Sequence, residues 1–192
     1  MDLKGKRLIL ASNSPRRREL LAGLNIDFEI DTRNDFEEHY DPATPHFEIP
    51  VLLSEGKSLG FHRPLAENEL LLTSDTLVLC GNEVLGKPAD AEDAARMLRL
   101  LSGREHQVTT AVTLRSRDRM ETISDTADVW FKELTEEEIQ YYIDHFRPFD
   151  KAGAYGIQEW IGYIGITRID GSFYTIMGLP VHVVYQLLQR FL

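Results

Sequence analysis

Cysteine is almost absent from this 192-residue sequence, which excludes a disulfide within the chain because Cys80 has no second thiol to pair with. Cys80 lies in the apolar run LVLCG, where we interpret it as a small core residue. The sequence also lacks C-x-x-C, G-x-S-x-G and G-x-G-x-x-G patterns, and its six histidines show no paired metal-ligand spacing. Zinc, thiol and serine-nucleophile chemistry are therefore unsupported.

Positive charge is scarce as well: 21 Lys and Arg against 31 Asp and Glu give a formal net charge of −10. General nucleic-acid binders usually carry a basic surplus, so we expect no stable binding to nucleic acid. Long hydrophobic runs are missing, and the start, MDLKGKRLILAS, predicts a first β-strand where a signal peptide or a membrane span would need a longer apolar stretch. We expect a cytoplasmic protein with no membrane attachment.

No repeat, low-complexity tract or Gly/Ser linker divides the chain, so we expect residues 1–192 to form a single domain, or two lobes on one core. Apolar periodicity, caps and turn residues predict an alternation of strands and helices. The predicted strands lie at 7–12, 27–30, 69–80 with a short return strand after Gly81-Asn82, 106–115 and 120–132, and a hairpin at 163–177 with an Asp170-Gly171 turn. The first predicted helix begins at Ser14-Pro15, and the second runs from about Ile49 to His62. The third starts at Asp90 and ends at Gly103. The fourth starts at the TEEE capping box of 135–138 and buries Ile139, Tyr142, Ile143 and Phe146, and the last runs from Pro180 to about Phe191. This mixture predicts an α/β fold with a mixed sheet.

The stretch SNSPRRREL, residues 12–20, places three arginines where a helix begins. Ser14 is a good N-cap and Pro15 suits the first helical position. A helix N-terminus already carries about half a positive charge, so a cation there is unfavourable by roughly 0.3–1 kcal/mol. Backbone N–H groups and guanidinium groups together suit a phosphate, so we favour an anion site over a basic surface patch.

Asp75 and Thr76 interrupt an apolar strand in LLLTSDTLVLC. A carboxylate between such runs is costly to bury unless it binds a cation, a metal or a reacting group, whereas the alternative is a structural aspartate at a turn. We favour a functional role for Asp75.

The stretch GNEVLGKP, residues 81–88, comes within one residue of the P-loop pattern but fails as one. Pro88 replaces the magnesium-binding hydroxyl, and Gly81 belongs to a hairpin turn. Lys87 still suits a point-charge contact to phosphate, and a solvated lysine is the equal alternative.

The stretch FDKAGAYGIQEW, residues 149–160, combines glycines that let a ligand approach with Gln158, whose amide can recognise a base edge. By pattern alone an ordinary glycine-bearing turn is the more common explanation. The acidic loop around DFEEH offers a metal ligand, because Mg²⁺ takes one or two carboxylates with substrate phosphate oxygens; a solvated acidic loop is again the alternative.

Five segments carry a more specific signal, spread along nearly the whole chain. They are LILASNSPRRRELL, SDTLVLCGNEVLGKP, AARMLRLLSGREHQVTTAV, DKAGAYGIQ and GSFYTIMGLP. In this order they resemble the Maf family of nucleoside triphosphate pyrophosphatases. The resemblance implies a Maf- or ITPase-like fold, with a mixed, elongated, twisted sheet flanked by helices and a substrate cleft between two lobes. It also implies a divalent metal, Mg²⁺ or Mn²⁺, and is compatible with a homodimer.

The resemblance implies roles for individual residues. Asp75 matches the catalytic carboxylate that takes the proton from the attacking water and sits beside the metal. The triphosphate contacts would come from the Ser12–Arg18 loop and two lysines, and base choice from three positions. Carried over by position, the catalytic residues are Asp75, Lys57 and Lys87, the substrate-binding residues are Ser12, Ser14, Arg16, Arg17, Thr76 and Gln158 (Arg16, Thr76 and Gln158 being those linked to base choice), and the metal ligands are Asp75 and Glu38, with Glu37 and Asp35 as alternatives to Glu38.

DKAGAYGIQ resembles the branch of the family that acts on dTTP and UTP. The resemblance therefore implies hydrolysis of these nucleotides to the monophosphate and pyrophosphate, as house-cleaning of the nucleotide pool. Two alternatives stay open: specificity for 7-methyl-GTP, and a nucleotide-binding regulator of cell division and septum formation without relevant turnover.

Overall fold

The computed structural model describes residues 2–192 and contains a seven-stranded mixed sheet in the order β2-β1-β3-β5-β6-β7, with β4 paired to β3. The strands are β1 (Arg7–Leu10), β2 (Phe28–Ile30), β3 (Glu69–Cys80), β4 (Glu83–Leu85), β5 (Glu105–Arg115), β6 (Met120–Phe131) and β7 (Ile166–Asp170). The helices are α1 (Pro15–Ala22), α2 (Ile49–Leu59), α3 (Ala91–Leu101), α4 (Glu136–Phe146), α5 (Trp160–Gly165), α6 (Phe173–Met177) and α7 (Val181–Phe191), with a short 3₁₀ turn at Ala152–Ala154. The predicted mixed α/β architecture is confirmed.

The chain divides into two compact units. The first comprises residues up to Asp75 together with Thr110–Asp125 and Gly178–Leu192, and the second comprises Thr76–Thr109 and Thr126–Met177. The strands β3, β5 and β6 each contribute residues to both units. None of the helices within residues 2–192 is long and apolar enough to cross a membrane.

The first unit has parallel strands at its centre. β1 pairs in parallel with both β2 and β3, and Leu10 lies opposite Leu72. Parallel strands are covered on both faces, which is why Leu8–Leu10 in β1 and Leu70–Leu72 in β3 are continuous apolar runs and are fully buried. This register places the carboxyl end of β1 beside the part of β3 that leads to Asp75, and such strand ends are where ligands bind in α/β sheets.

The second unit is organised by helix caps and an aromatic cluster. Asp90 caps α3 through the N–H of Asp93, and Thr135 forms the predicted capping box with Glu138 at the start of α4. The rings of His106, Phe131 and Tyr155 pack against one another, with centroids 5.1 to 5.6 Å apart. Cys80 is buried, as expected for a core residue.

The predicted hairpin over 163–177 is wrong. β7 pairs antiparallel with β6, with Asp170 opposite Asp128, and the segment after the turn forms α6. Gly171 does turn the chain, with φ of 123°, but a Cβ there would lie 2.8 Å from Ala127 Cα. The turn therefore lies against β6, a strand remote in sequence, and local turn chemistry could not reveal that partner.

Two smaller expectations are also corrected. The helix α2 ends at Leu59 and not at His62, because Gly60 caps it and Phe61 forms an isolated bridge with Asn34. Phe146 was expected in the core, yet it is the last residue of α4 and is 36% exposed.

Candidate active site

The loop between β1 and α1 is held in shape by its own serines. Ser14 caps α1 by accepting a hydrogen bond from Arg17 N at 3.4 Å, with Pro15 at the first helical position. Ser12 is buried, and its Oγ accepts from Ser14 N at 3.2 Å. The predicted strand–turn–helix is confirmed, and its N-terminal N–H groups lie at the carboxyl end of β1.

The arginines at the start of α1 are partly engaged in holding the backbone. Arg17 donates from Nε to Gly178 O at 2.7 Å and from Nη1 to Ser74 O at 2.8 Å. Burial lowers the pKa of the Arg17 guanidinium, and the nearby Asp75 carboxylate opposes that shift. Arg18 donates to Ser12 O at 3.4 Å, and Arg16 is half-buried. Arg17 thus anchors the part of β3 that carries Asp75.

Three of the predicted residues come together in the first unit. Lys57 Nζ lies 2.5 Å from Asp75 Oδ1 and 2.8 Å from Glu38 Oε1. The Lys57 and Asp75 side chains are 20% and 13% exposed, whereas Glu38 is 55% exposed. Of the three candidate acids in the loop, Glu38 is the one that the structure pairs with Lys57, while Asp35 and Glu37 lie exposed beside it. One ammonium group therefore joins the two carboxylates that the sequence assigns to the metal.

The acidic loop is docked against two glycines of α2 and its cap. Asn34 Nδ2 donates to Lys57 O at 2.5 Å, and Asn34 Oδ1 accepts from Phe36 N at 2.8 Å. A Cβ at Gly56 would lie 2.3 Å from the Phe36 ring, and one at Gly60 would lie 2.6 Å from Phe36 Cβ. Only residues without a Cβ allow this approach, which brings Glu38 to Lys57.

Buried polar contacts hold the helix that carries Lys57. Ser54 Oγ and Thr113 Oγ1 are 2.8 Å apart, and Thr73 Oγ1 donates to Ser54 O at 2.8 Å. Arg115 donates from Nη2 to Ser58 O at 2.5 Å. These bonds tie α2 to β3 and β5 on both sides of Lys57, so its side chain starts from a fixed backbone.

The second unit carries the other predicted residues. Thr76 follows Asp75 directly on β3 and is half-buried, and Lys87 is exposed just after β4. Gly86 O accepts a hydrogen bond from Gly153 N at 3.1 Å, which ties the segment before Lys87 to the glycine-bearing stretch. Gln158 precedes α5, and its Oε1 is buried without a hydrogen-bond partner among the described residues.

Sequence reasoning missed several residues around these groups. Asn34, Phe36 and Arg115 position the Lys57 backbone and the acidic loop, and no motif marks them because their partners on α2 are remote in sequence. Lys151 gave a weak signal, since it is a charged residue among small and buried neighbours. Its partners became visible only in the fold.

The Asp75 and Glu38 carboxylates suit a metal ion whose remaining ligands are substrate oxygens. Within residues 2–192 no group of three or more His, Cys, Asp and Glu side chains is placed to hold a metal ion. Asp75 and Glu38 nevertheless converge on one cationic atom, Lys57 Nζ. Two carboxylates with phosphate oxygens are a usual ligand set for Mg²⁺, so the donor set suits such a cation.

Comparison with known proteins identifies the family to which this chain belongs. The family model described as Maf-like protein matches residues 7–191. A dTTP/UTP pyrophosphatase of Parabacteroides distasonis is 48% identical over 190 residues, covering 99% of this chain and 98% of that protein. The dTTP/UTP pyrophosphatase of Porphyromonas gingivalis strain W83 is 47% identical over 192 residues, covering 99% of this chain and 96% of that protein. The chain belongs to the Maf family.

A third relative matches at a similar identity over a slightly shorter length, while a structural match is slight. A dTTP/UTP pyrophosphatase of Flavobacterium psychrophilum is 48% identical over 179 residues, covering 93% of this chain and 91% of that protein. A HAM1 protein from Coxiella burnetii matches with a TM-score of 0.40 and 15% identity, over 64% of this chain and 70% of that one. We draw nothing from that structural likeness.

Proposed function

We propose that this chain hydrolyses dTTP and UTP to the monophosphate and pyrophosphate, and so clears these nucleotides from the nucleotide pool. The curated relatives that match nearly its full length are dTTP/UTP pyrophosphatases. The observation that carries the proposal is the Lys57 ammonium held between the Asp75 and Glu38 carboxylates. Asp75 lies on β3, Lys57 on α2 and Glu38 in the loop before α2, all in the unit that also contains the arginine loop.

The chemistry requires positive charge that is in place before the reaction. A nucleoside triphosphate carries about four negative charges near neutral pH, and the transition state is stabilised by cations already oriented toward the phosphates. In this proposal Arg16, Arg17, Lys57 and Lys87 contact the triphosphate, and the Ser12 and Ser14 loop offers N–H and hydroxyl donors. The arginines oppose their own helix dipole because the substrate completes the site.

Asp75 acts as the general base in this reaction. Its carboxylate accepts a proton from water, the water oxygen attacks the α–β phosphoanhydride, and the P–O bond breaks to release pyrophosphate. Lys57 orients the carboxylate through the 2.5 Å contact with Oδ1. Arg17 holds the strand beside it through Ser74 O.

We propose Asp75 and Glu38 as ligands for a divalent metal, Mg²⁺ or Mn²⁺. When bound, such an ion neutralises phosphate charge. The exposed Glu38 side chain and the enclosed Asp75 side chain approach the same point from different segments. The Lys57 ammonium group, a cation of the protein itself, contacts both carboxylates.

Base choice is assigned to Arg16, Thr76 and Gln158. The buried Oε1 of Gln158 has no donor among the described residues. An unsatisfied buried acceptor costs about 1–3 kcal/mol, so a ligand donor at this side chain supplies what the protein does not. Uracil and thymine carry an N3–H donor and cytosine does not, which supports selection of UTP and dTTP over CTP.

The test is pyrophosphate release from dTTP, UTP, CTP and 7-methyl-GTP with Mg²⁺ or Mn²⁺, for the wild type beside Asp75→Asn. We expect turnover of dTTP and UTP, reduced about 10²–10⁴-fold in the variant, since that is the usual contribution of a general base. Full activity of a folded Asp75→Asn variant would remove Asp75 from this role. Turnover of 7-methyl-GTP alone would change the specificity, and binding without turnover would favour a nucleotide-binding regulator.

A further inference from the structure

A buried lysine, Lys151, lies within the glycine-bearing stretch of the second unit. The Lys151 side chain is 9% exposed, and its Nζ lies 2.8 Å from Asp150 Oδ1 and 3.1 Å from Glu159 Oε1. An ammonium group at this depth needs paired partners, because removing it from water is costly. The pairing fixes Glu159, the residue that directly follows Gln158.

Tyr142 joins this pair to the backbone. The Tyr142 ring is fully buried in α4. Its hydroxyl donates to Glu159 Oε2, and the hydroxyl oxygen of Tyr142 accepts a hydrogen bond from Gly156 N at 3.0 Å. The hydroxyl is therefore saturated by a carboxylate on one side and a main-chain N–H on the other. Lys151, Glu159 and Tyr142 form a continuous network, which we call the Tyr142 network.

The backbone around Gln158 approaches this network as closely as glycine allows. A Cβ at Gly156 would lie 2.9 Å from Glu159 Cδ and 3.0 Å from Lys151 Cε. Glu159 N donates to Gly156 O at 3.0 Å, which closes a turn over residues 156–159. A Cβ at Gly162 would lie 1.8 Å from Ile157 O, so α5 packs directly on this turn. Gln158 is thus held from both flanking sides.

We propose that the Tyr142 network positions Gln158 for base selection; Tyr142, Glu159 and Lys151 are positioning residues that act through the 156–159 turn. This inference rests on the proposed function of Gln158. Buried ion pairs contribute little net stability against apolar residues of the same size, so an orienting role accounts for this arrangement better than a stabilising one. A displacement of about 1 Å at a substrate-binding group can reduce the rate about 10²-fold.

The test compares Tyr142→Phe with Tyr141→Phe, its neighbour in α4, whose side chain is 44% exposed and lies outside the network. The measurement is kcat/KM for UTP and for CTP, together with hydrogen exchange of the Gly156 N–H. We expect the UTP-to-CTP ratio to fall about tenfold in Tyr142→Phe, with faster exchange at Gly156, and both to stay unchanged in Tyr141→Phe. Glu159→Gln is the second variant and should lower the same ratio; it decides the matter if Tyr142→Phe does not fold.

The outcomes separate this inference from the proposed function. If the wild type turns over UTP and both variants slow UTP and CTP equally, the network is merely structural and the inference is overturned. Equal use of UTP and CTP by the wild type would overturn it as well. Absence of any UTP turnover by the wild type would instead contradict the proposed function itself.

Discussion

Lys57 is the residue on which the candidate active site depends. Its ammonium group contacts Asp75 and Glu38, which lie far apart in the chain and on different segments. A lysine suits this position because its compact charge and three donors can join two carboxylates from different segments, whereas an arginine favours a planar, bidentate contact with one carboxylate. The same atom, Lys57 Nζ, holds the proposed general base Asp75 and the proposed metal ligand Glu38 at one point.

At the scale of the residue, Glu38→Gln tests the proposed role of Glu38 as a metal ligand. We expect the variant to keep its fold, because the side chain is 55% exposed, and to require more Mg²⁺ or Mn²⁺ for half-maximal pyrophosphate release. Metal titrations of activity and Mn²⁺ binding measured by electron paramagnetic resonance give the two readouts. Glu37→Gln is the matched control, and an equal effect of both variants would show that Glu38 has no particular role.

Among the elements, α2 is built to receive the acidic loop. Glycine inside a helix is usually unfavourable by about 1 kcal/mol relative to alanine. Here Gly56 lies in α2 and admits the Phe36 ring, while Gly60, which caps the helix, meets Phe36 Cβ. The loss in helix propensity is offset by a docked loop that brings Glu38 to Lys57.

Gly56→Ala should therefore separate stability from activity. The added methyl would lie 2.3 Å from the Phe36 ring, so the ring must move and the loop must leave the helix. The gain in helix propensity of about 1 kcal/mol offsets the lost packing, and we expect little change in the urea-unfolding free energy. Turnover should fall, and the Asp35 and Phe36 N–H groups, which bond Gly60 O and Asn34 Oδ1, should exchange faster. Unchanged exchange would show that the glycine is not needed for docking.

The start of α4 offers a prediction that concerns the helix alone. Thr135 Oγ1 accepts from Glu138 N at 3.2 Å, and Glu138 Oε2 accepts from Thr135 N at 2.9 Å. Thr135→Ala removes one half of this capping box and should lower the unfolding free energy by about 1 kcal/mol. Chemical denaturation measures this loss of unfolding free energy. Glu137→Gln, in the same turn but outside the box, serves as the control, and an equal loss there would point to charge at the helix terminus.

For the whole molecule, charge distribution separates the candidate site from its surroundings. The chain carries a formal charge of −10, yet its first unit gathers Arg16, Arg17 and Lys57 around one strand end. An acidic molecule repels polyanions at long range, and the fixed cations attract a triphosphate at short range. We therefore expect the candidate site to favour small anions over nucleic acid.

The stability of the whole molecule should depend on His106. Burial lowers the pKa of His106 to about 4, and its Nε2 lies 2.7 Å from Tyr155 Oη. The unfolded chain binds the proton with a pKa near 6.5, so the stabilisation is complete above that pH and is lost as the pH falls toward about 4. The shift corresponds to roughly 3 kcal/mol. Unfolding free energies measured from pH 7 to 4 should fall more steeply for the wild type than for His106→Gln, and parallel curves would exclude this contribution.

The sequence by itself determined the local elements and most candidate residues. The Ser14 cap, the Gly81-Asn82 turn and the capping box at Thr135 depend on residues within a few positions of one another, so local chemistry predicts them. The apolar runs around Asp75 likewise mark a costly carboxylate. These predictions needed no knowledge of distant partners. The assignment to the Maf family likewise depends on sequence alone, through the family model that matches residues 7–191.

Only the tertiary structure decided which distant groups meet. Glu38 is distinguished from Asp35 and Glu37 by the docking of Phe36 on Gly56, and a one-residue shift in that loop would have offered Lys57 a different acid. The pairing of β7 with β6 and the Tyr142–Glu159–Lys151 contacts likewise join segments far apart in the chain. The physical reason is that packing and buried hydrogen bonds depend on positions fixed by the whole fold, while caps and turns depend on neighbours in sequence.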